Sequence, residues 1–137
     1  MVPTRRSPSD VTDKTCRVCG RRFTWRRSWA RNWESVSVCS DACRARRRTL
    51  RGQGRALEEA ILGLLADRAA GATICPSEAA RAVDAEGWRD ILEATREAGR
   101  RLVASGEVVF VQGGRIVDPS RAKGPVRIRK AGNGGVP

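Results

Sequence analysis

Apolar residues recur at helical spacing in the middle of the chain: Leu57, Ile61, Leu64 and Leu65 predict an amphipathic helix from Ala56 to Ala70, closed by Gly71. Thr73, Ile74 and Cys75 predict a short strand. Pro76-Ser77-Glu78 predicts a helix start capped by Ser77 and running to about Val83. A third helix is predicted from about Gly87 to Ser105. Its inward face is Trp88, Ile91, Leu92, Thr95, Leu102 and Val103, and its outward face is Arg89, Glu93, Arg96, Glu97, Arg100 and Arg101. Val108–Val111 and Arg115–Val117 flank Gly113-Gly114, the pattern of a hairpin on a two-glycine turn. Helix, short strand, helix, helix, hairpin is the order of a winged helix. The fold expected for residues 56–120 is therefore an α+β winged-helix domain of three helices and a β-hairpin.

Residues 14–50 lack such periodicity and carry cysteines instead. Cys16-Arg17-Val18-Cys19-Gly20 is a C-x-x-C turn, in which the glycine permits the positive φ that closes it. Cys39 and Cys43 follow, four positions apart and thus on one helical face, with Ser40 and Asp41 suited to the helix N-terminus. Two pairs at this separation supply four thiolates, the ligand set of a closed, tetrahedral structural Zn2+ site. A segment this short buries too little apolar surface to fold alone, and metal binding makes up the difference. A knuckle, a connecting hairpin and two ligands on a helix start predict a treble-clef-like module. Phe23, Trp25, Trp29 and Trp33 between the pairs admit two readings, an apolar core around the metal, which is favoured, and a stacking platform for bases.

Charge divides the chain further. The formal net charge is +12, and 24 of the 27 basic residues are arginine. Residues 1–55 hold 15 basic against 4 acidic side chains, residues 56–120 hold 7 against 11, and residues 121–137 hold 5 against none. Residues 1–13 are expected to form a disordered tail, residues 51–55 a glycine-broken junction, and residues 121–137 a basic, largely flexible tail. So basic a chain attracts polyanions, chiefly nucleic acid. The residues expected to meet it are Arg21, Arg22, Arg26, Arg27, Arg31, Arg44, Arg46, Arg47 and Arg48 in the cysteine module. Arg96 and Arg100 on the third helix, Arg115 on the wing, and Arg127 and Arg129 after it complete the set. The mixed signs on the third helix weigh against simple insertion into a major groove.

No apolar run is long enough to span a bilayer, and no apolar stretch follows the basic start as an export signal requires. A cytoplasmic location without a membrane partner is expected, where clustered cysteines read as metal ligands. The fifth cysteine, Cys75, reads as a small buried apolar residue. The chain has no His and no Tyr, and neither a phosphate loop nor a nucleophile elbow, so catalysis is not expected.

Two stretches also carry family resemblances. Residues 14–48, with C-R-V-C-G-R-R-F-T-W-R-R-S-W-A-R-N-W and C-S-D-A-C, resemble the bacterial domain of unknown function 2256. The segment from Leu57 to Arg129 resembles domain of unknown function 3253. Its pieces are I-C-P-S-E-A-A-R, the G-W-R-D helix, G-R-I-V-D-P-S and K-G-P-V-R-I-R. The first resemblance reinforces the metal ligands and the second implies a winged helix. Neither implies an activity. The function expected is that of a zinc-binding, nucleic-acid-binding accessory or regulatory protein. The alternative is a protein-interaction adaptor whose basic module docks on an acidic protein or the ribosome.

Overall fold

The cysteine module begins with a two-stranded antiparallel ladder, β1 (Lys14–Thr15) against β2 (Arg22–Phe23), which pairs Lys14 with Phe23 and Thr15 with Arg22. This computed structural model describes residues 13–50 and 52–131. Most of the expected N-terminal tail, Arg51 of the expected junction, and residues 132–137 of the expected C-terminal tail lie outside the described residues. Two 3-10 turns, Arg27–Trp29 and Trp33–Ser35, carry the chain to α1 (Asp41–Ala45). Ser40 caps α1, its hydroxyl accepting the Cys43 N–H at 3.2 Å, as its residue type predicts. The helix ends at Ala45, and a 3-10 turn over Arg47–Leu50 follows it.

The aromatic residues form the core of this module. Phe23 meets Trp29 and Trp33 edge-on, with centroids 5.4 and 5.7 Å apart, and the two indoles lie 5.5 Å apart. Such pairs contribute roughly 0.5–1.5 kcal/mol each beyond the area they bury. Val18, Phe23, Trp33, Val38 and three of the cysteines are buried together, with Trp25 and Trp29 packed against them. Lys14 lies over the Trp33 ring and donates to the Trp33 and Val36 carbonyls, which ties the strand to the loop.

The second module holds α2 (Gln53–Ala66), β3 (Thr73–Ile74), α3 (Pro76–Val83), α4 (Leu92–Ala104), β4 (Val108–Gln112), β5 (Arg115–Val117) and β6 (Arg127–Lys130). Four strands form one antiparallel sheet in the order β3-β6-β4-β5. Leu57, Ile61 and Leu65 of α2 share one core with Ile74, Ala79, Ala80, Ala98, Leu102, Phe110 and Ile128. Each large aliphatic side chain buried there contributes roughly 1.5–3 kcal/mol. Gly99 lets α4 approach the sheet, because a Cβ there would lie 2.9 Å from the Phe110 ring. The chain is thus α+β with, among the described residues, four α-helices and antiparallel sheets.

Several expectations need correction. The first long helix starts three residues earlier than its apolar pattern and ends at Ala66. Gly54, expected to break the chain, lies within α2 and is buried, for a Cβ there would crowd Leu50 and Arg101. The expected third helix opens as a 3-10 turn over Trp88–Ile91 before α4. Cys75, not Ser77, is the N-cap residue of α3. Its N–H is taken by the Glu78 carboxylate at 2.9 Å, and Pro76 occupies the first helical position, where a missing N–H costs nothing. Cys75 is half-buried, and the Ser77 hydroxyl lies 3.2 Å from its sulfur.

The largest correction concerns residues 121–137. They were expected to be mostly flexible, yet β6 is an inner strand paired on both sides. Val126 and Ile128 point inward while Arg127 is exposed, an alternation of period two that the arginines obscured.

Candidate metal centre

The Cys16–Gly20 turn and the start of α1 bring four sulfurs together. The ligand atoms of Cys16, Cys19, Cys39 and Cys43 all lie within 4.8 Å of one another and can hold a metal ion. The turn is closed by the Gly20 N–H donating to the Cys16 carbonyl at 3.0 Å, with Gly20 at φ +78°. Cys16 Sγ faces the amides of Val18, Cys19 and Cys39 at 3.4, 3.5 and 3.4 Å, an arrangement that favours a thiolate. The Cys19 thiol and these amides hold Cys16 well below the ordinary thiol range, against the effect of burial. Cys19 is pushed up, first because its proton is shared with Cys16 and then by burial; burial raises Cys43 as well. Four sulfurs this close cannot all ionise without a cation, and a divalent ion resolves the conflict.

The module is seated on α4. Arg100, 1% exposed, donates from Nε to the Cys19 carbonyl at 2.6 Å and from Nη2 to Glu93 at 2.9 Å. Arg101 Nη1 reaches the Val18 carbonyl at 2.5 Å, while its Nε pairs with Glu58 of α2 at 2.6 Å. Arg46 pairs with the buried carboxylate of Glu97. On the far side, Arg22 pairs with Asp118 at 2.5 Å, and its N–H donates to the Ser120 hydroxyl at 2.9 Å. Two adjacent guanidinium groups thus grip two adjacent carbonyls of the knuckle.

This seam changes the standing of the expected arginines. The outward face of the third helix is open to solvent only in part: Arg89 and Glu93 are exposed, whereas Glu97 and Arg100 are buried beneath the cysteine module. Arg100 is therefore withdrawn from the candidate nucleic-acid contacts, and Arg96 is half-buried, bonded to the Gly124 carbonyl at 3.0 Å. Arg22 and Arg46 are engaged as above, and Arg127 bonds to Thr73 and lies 3.8 Å from Glu78. Arg44 lies 4.0 Å from Asp41, Arg26 lies over Trp29, and Arg129 is half-buried. Arg21, Arg27, Arg31, Arg47, Arg48 and Arg115 are exposed, with no acidic partner among the described residues. The missed seam residues, Glu97 and Arg101 with Gly20, carry one sequence signal. Charges of both signs at 93, 97, 100 and 101 make a polar stripe opposite the apolar stripe of the same helix.

Residues 54–131, the whole second module including β6, match the family described as "Protein of unknown function (DUF3253)". The chain belongs to that family. Residues 7–46, which span all four clustered cysteines, match a second description, "Uncharacterized protein conserved in bacteria (DUF2256)". The two matches in one chain agree with the resemblances carried by the motifs, and the family domain here is preceded by a cysteine module packed on its α4. No curated protein matches the chain. Among the described residues no helix is long and apolar enough to cross a membrane.

Proposed function

We propose that the protein is a zinc-dependent nucleic-acid-binding accessory protein of the cytoplasm, with no catalytic role. The observation that carries this reading is that Arg27, Arg31, Arg47 and Arg48 stand exposed on the cysteine module without acidic partners among the described residues. Exposed guanidinium groups that no carboxylate neutralises are the footprint of phosphate binding. The ion we assign is zinc. A tetrahedron with Zn–S bonds of about 2.3 Å places its sulfurs about 3.8 Å apart. Cys19 and Cys39, and Cys39 and Cys43, are both separated by 3.7 Å. With two ligands in a hairpin turn and one at the start of a helix, we read the module as treble-clef-like. We read the family domain as a winged-helix variant with the β4–β5 hairpin as its wing. Its α4 is covered by the zinc module, which speaks against major-groove reading by that helix and for backbone contacts through the module.

The test is a titration of the metal-loaded protein against duplex DNA, single-stranded DNA and structured RNA over a salt series, repeated after chelation. Binding that falls steeply with log salt and needs the metal supports the proposal. Weak binding, or equal binding of all three polymers with or without metal, overturns it and moves the search to a protein partner.

A further inference from the structure

Resting on that reading, we infer that the nucleic acid lies as a single strand in the cleft between the two modules, gripped through its phosphates by Arg17, Arg47, Arg48 and Arg55. The cleft has a volume of about 820 Å³ and is lined by these four arginines with Leu50 and Glu58. Three separate segments supply them. Arg17 comes from the knuckle turn, Arg47 and Arg48 from the 3-10 turn after α1, and Arg55 from the first turn of α2. Nothing in the sequence pattern brings Arg17 and Arg55 together; the docking of the modules does.

The charge in this cleft is not cancelled. Among the described residues Arg17, Arg47 and Arg48 have no acidic partner, and Arg55 has only the exposed Glu59 at 3.9 Å. Glu58, the one carboxylate in the wall, is already held by Arg101 at 2.6 Å. Four cations facing one another across an open space repel unless an anion lies between them, and guanidinium groups match phosphate oxygens in flat, two-pronged contacts. A second hollow of about 510 Å³ shares Arg17, Leu50 and Glu58 and continues along the seam past Thr15 to Ala104 and Ser105. The two together make a groove rather than a pit for one ion, so a chain of phosphates fits better than a single anion. The volume falls in the range of about 300–1,000 Å³ typical of ligand clefts. Leu50, half-buried in the wall of both hollows, offers the apolar contact that a sugar or base edge takes.

The experiment measures binding of the full, metal-loaded chain to fluorescein-labelled oligo-dT and oligo-U in three variants, each lacking two positive charges. R17S/R55S strips the cleft, R27S/R31S strips the aromatic loop, and R81S/R89S removes exposed charge beside Trp88, outside the lining of the cleft. Metal content and near-ultraviolet circular dichroism confirm that each variant folds, and R47S/R48S serves as the second cleft variant should R17S/R55S fail to. The cleft variant should lose about tenfold or more in affinity at moderate salt. Its slope of log affinity on log salt should shrink by about 1.4, two single-strand phosphate contacts. A loss no greater than that of R81S/R89S, or smaller than that of R27S/R31S, overturns the cleft as the site while leaving nucleic-acid binding intact. Failure of the wild-type chain to bind either strand overturns the strand assignment, and failure to bind duplex DNA and structured RNA as well overturns nucleic-acid binding. Competition by inorganic phosphate at concentrations matched in ionic strength to a chloride control would show a single-anion site and also overturn the strand assignment.

Discussion

Arg100 Nε donates to the carbonyl oxygen of Cys19 at 2.6 Å, so one of the four clustered cysteines is held through its backbone by a helix 81 positions later in the chain. Next to it, Gly20 comes so close to α4 that a Cβ would stand 2.3 Å from Arg100 Cβ. The cysteine turn and the family domain therefore share one packed seam.

Replacing Arg100 by Met keeps much of its apolar stem and removes every donor. The Cys19 carbonyl then loses its charged partner while the surface around it stays buried. The expected cost is about 2–4 kcal/mol, because hydrogen bonds to charged groups are strong and the stranded acceptor stays desolvated. Denaturant unfolding of the metal-loaded chain reads this directly. Arg100→Lys should recover only part of the loss, since an ammonium cannot reproduce the fork toward both Cys19 and Glu93.

Gly20→Ala should be worse than the same change at Gly71. Both glycines have positive φ, +78° and +86°, but a Cβ at Gly71 meets nothing within 4 Å. Gly71→Ala should cost about 1 kcal/mol from backbone strain alone. Gly20→Ala adds a collision with helix backbone and should weaken the seam by several-fold more. Equal thermal shifts for the two variants would show that the approach of Gly20 to α4 is not tight in solution.

Cys39→Ser should bind less than one metal per chain, and hydrogen exchange of residues 14–50 should become fast. Chelation of the wild type should do the same, because the module's own core is too small to hold without the ion. Amides around Leu57, Ile61, Phe110 and Ile128 should stay protected, since these side chains share a separate core. Full metal content with unchanged exchange in the mutant would remove Cys39 from the ligand set.

Asp118 introduces a pH dependence. The Ser120 N–H, donating at 2.9 Å, and then Arg22 hold its carboxyl below the usual range. A depressed carboxyl contributes stability above its unfolded value, near 3.9, and loses it as the pH falls through the lower folded value. The pair is partly exposed, so the contribution stays under about 1 kcal/mol. The stability gap between wild type and Asp118→Asn should be widest near neutrality and close below about pH 4. A gap independent of pH would mean that neither the Ser120 N–H nor Arg22 holds the Asp118 carboxyl down.

A chain truncated after Lys123 loses β6. Its absence leaves the facing edges of β3 and β4 unpaired and removes Val126 and Ile128 from the core. Cooperative unfolding should disappear, as followed by far-ultraviolet circular dichroism. A sharp transition in the truncated chain would show that the sheet stands without its inner strand.

The elements most legible from sequence were those whose signal is local. Leu57, Ile61 and Leu65 at helical spacing marked α2, and Gly113-Gly114 marked the hairpin, where both residues take positive φ. β6 was missed because a strand this short and this basic resembles a solvated tail until its neighbours in the sheet are known. Gly54 resembled a breaker because its reason for lacking a side chain lies in Leu50 and in Arg101 of α4.

By itself the sequence determined that Cys16, Cys19, Cys39 and Cys43 could form one ligand set, that Ser40 caps α1, and the order of the helices and strands as far as the β4–β5 hairpin. Ligand spacing, capping and hydrophobic periodicity all act over a few residues and are written consecutively in the chain. Only the tertiary structure decided which charges face solvent. Arg100 and Arg47 are the same residue type in equally polar surroundings along the chain, yet one is buried on the Cys19 carbonyl and the other is exposed at a cleft. An arginine's fate depends on which surface packs against it. Here that surface is the Cys16–Gly20 turn some eighty residues away in sequence, a separation no local pattern spans.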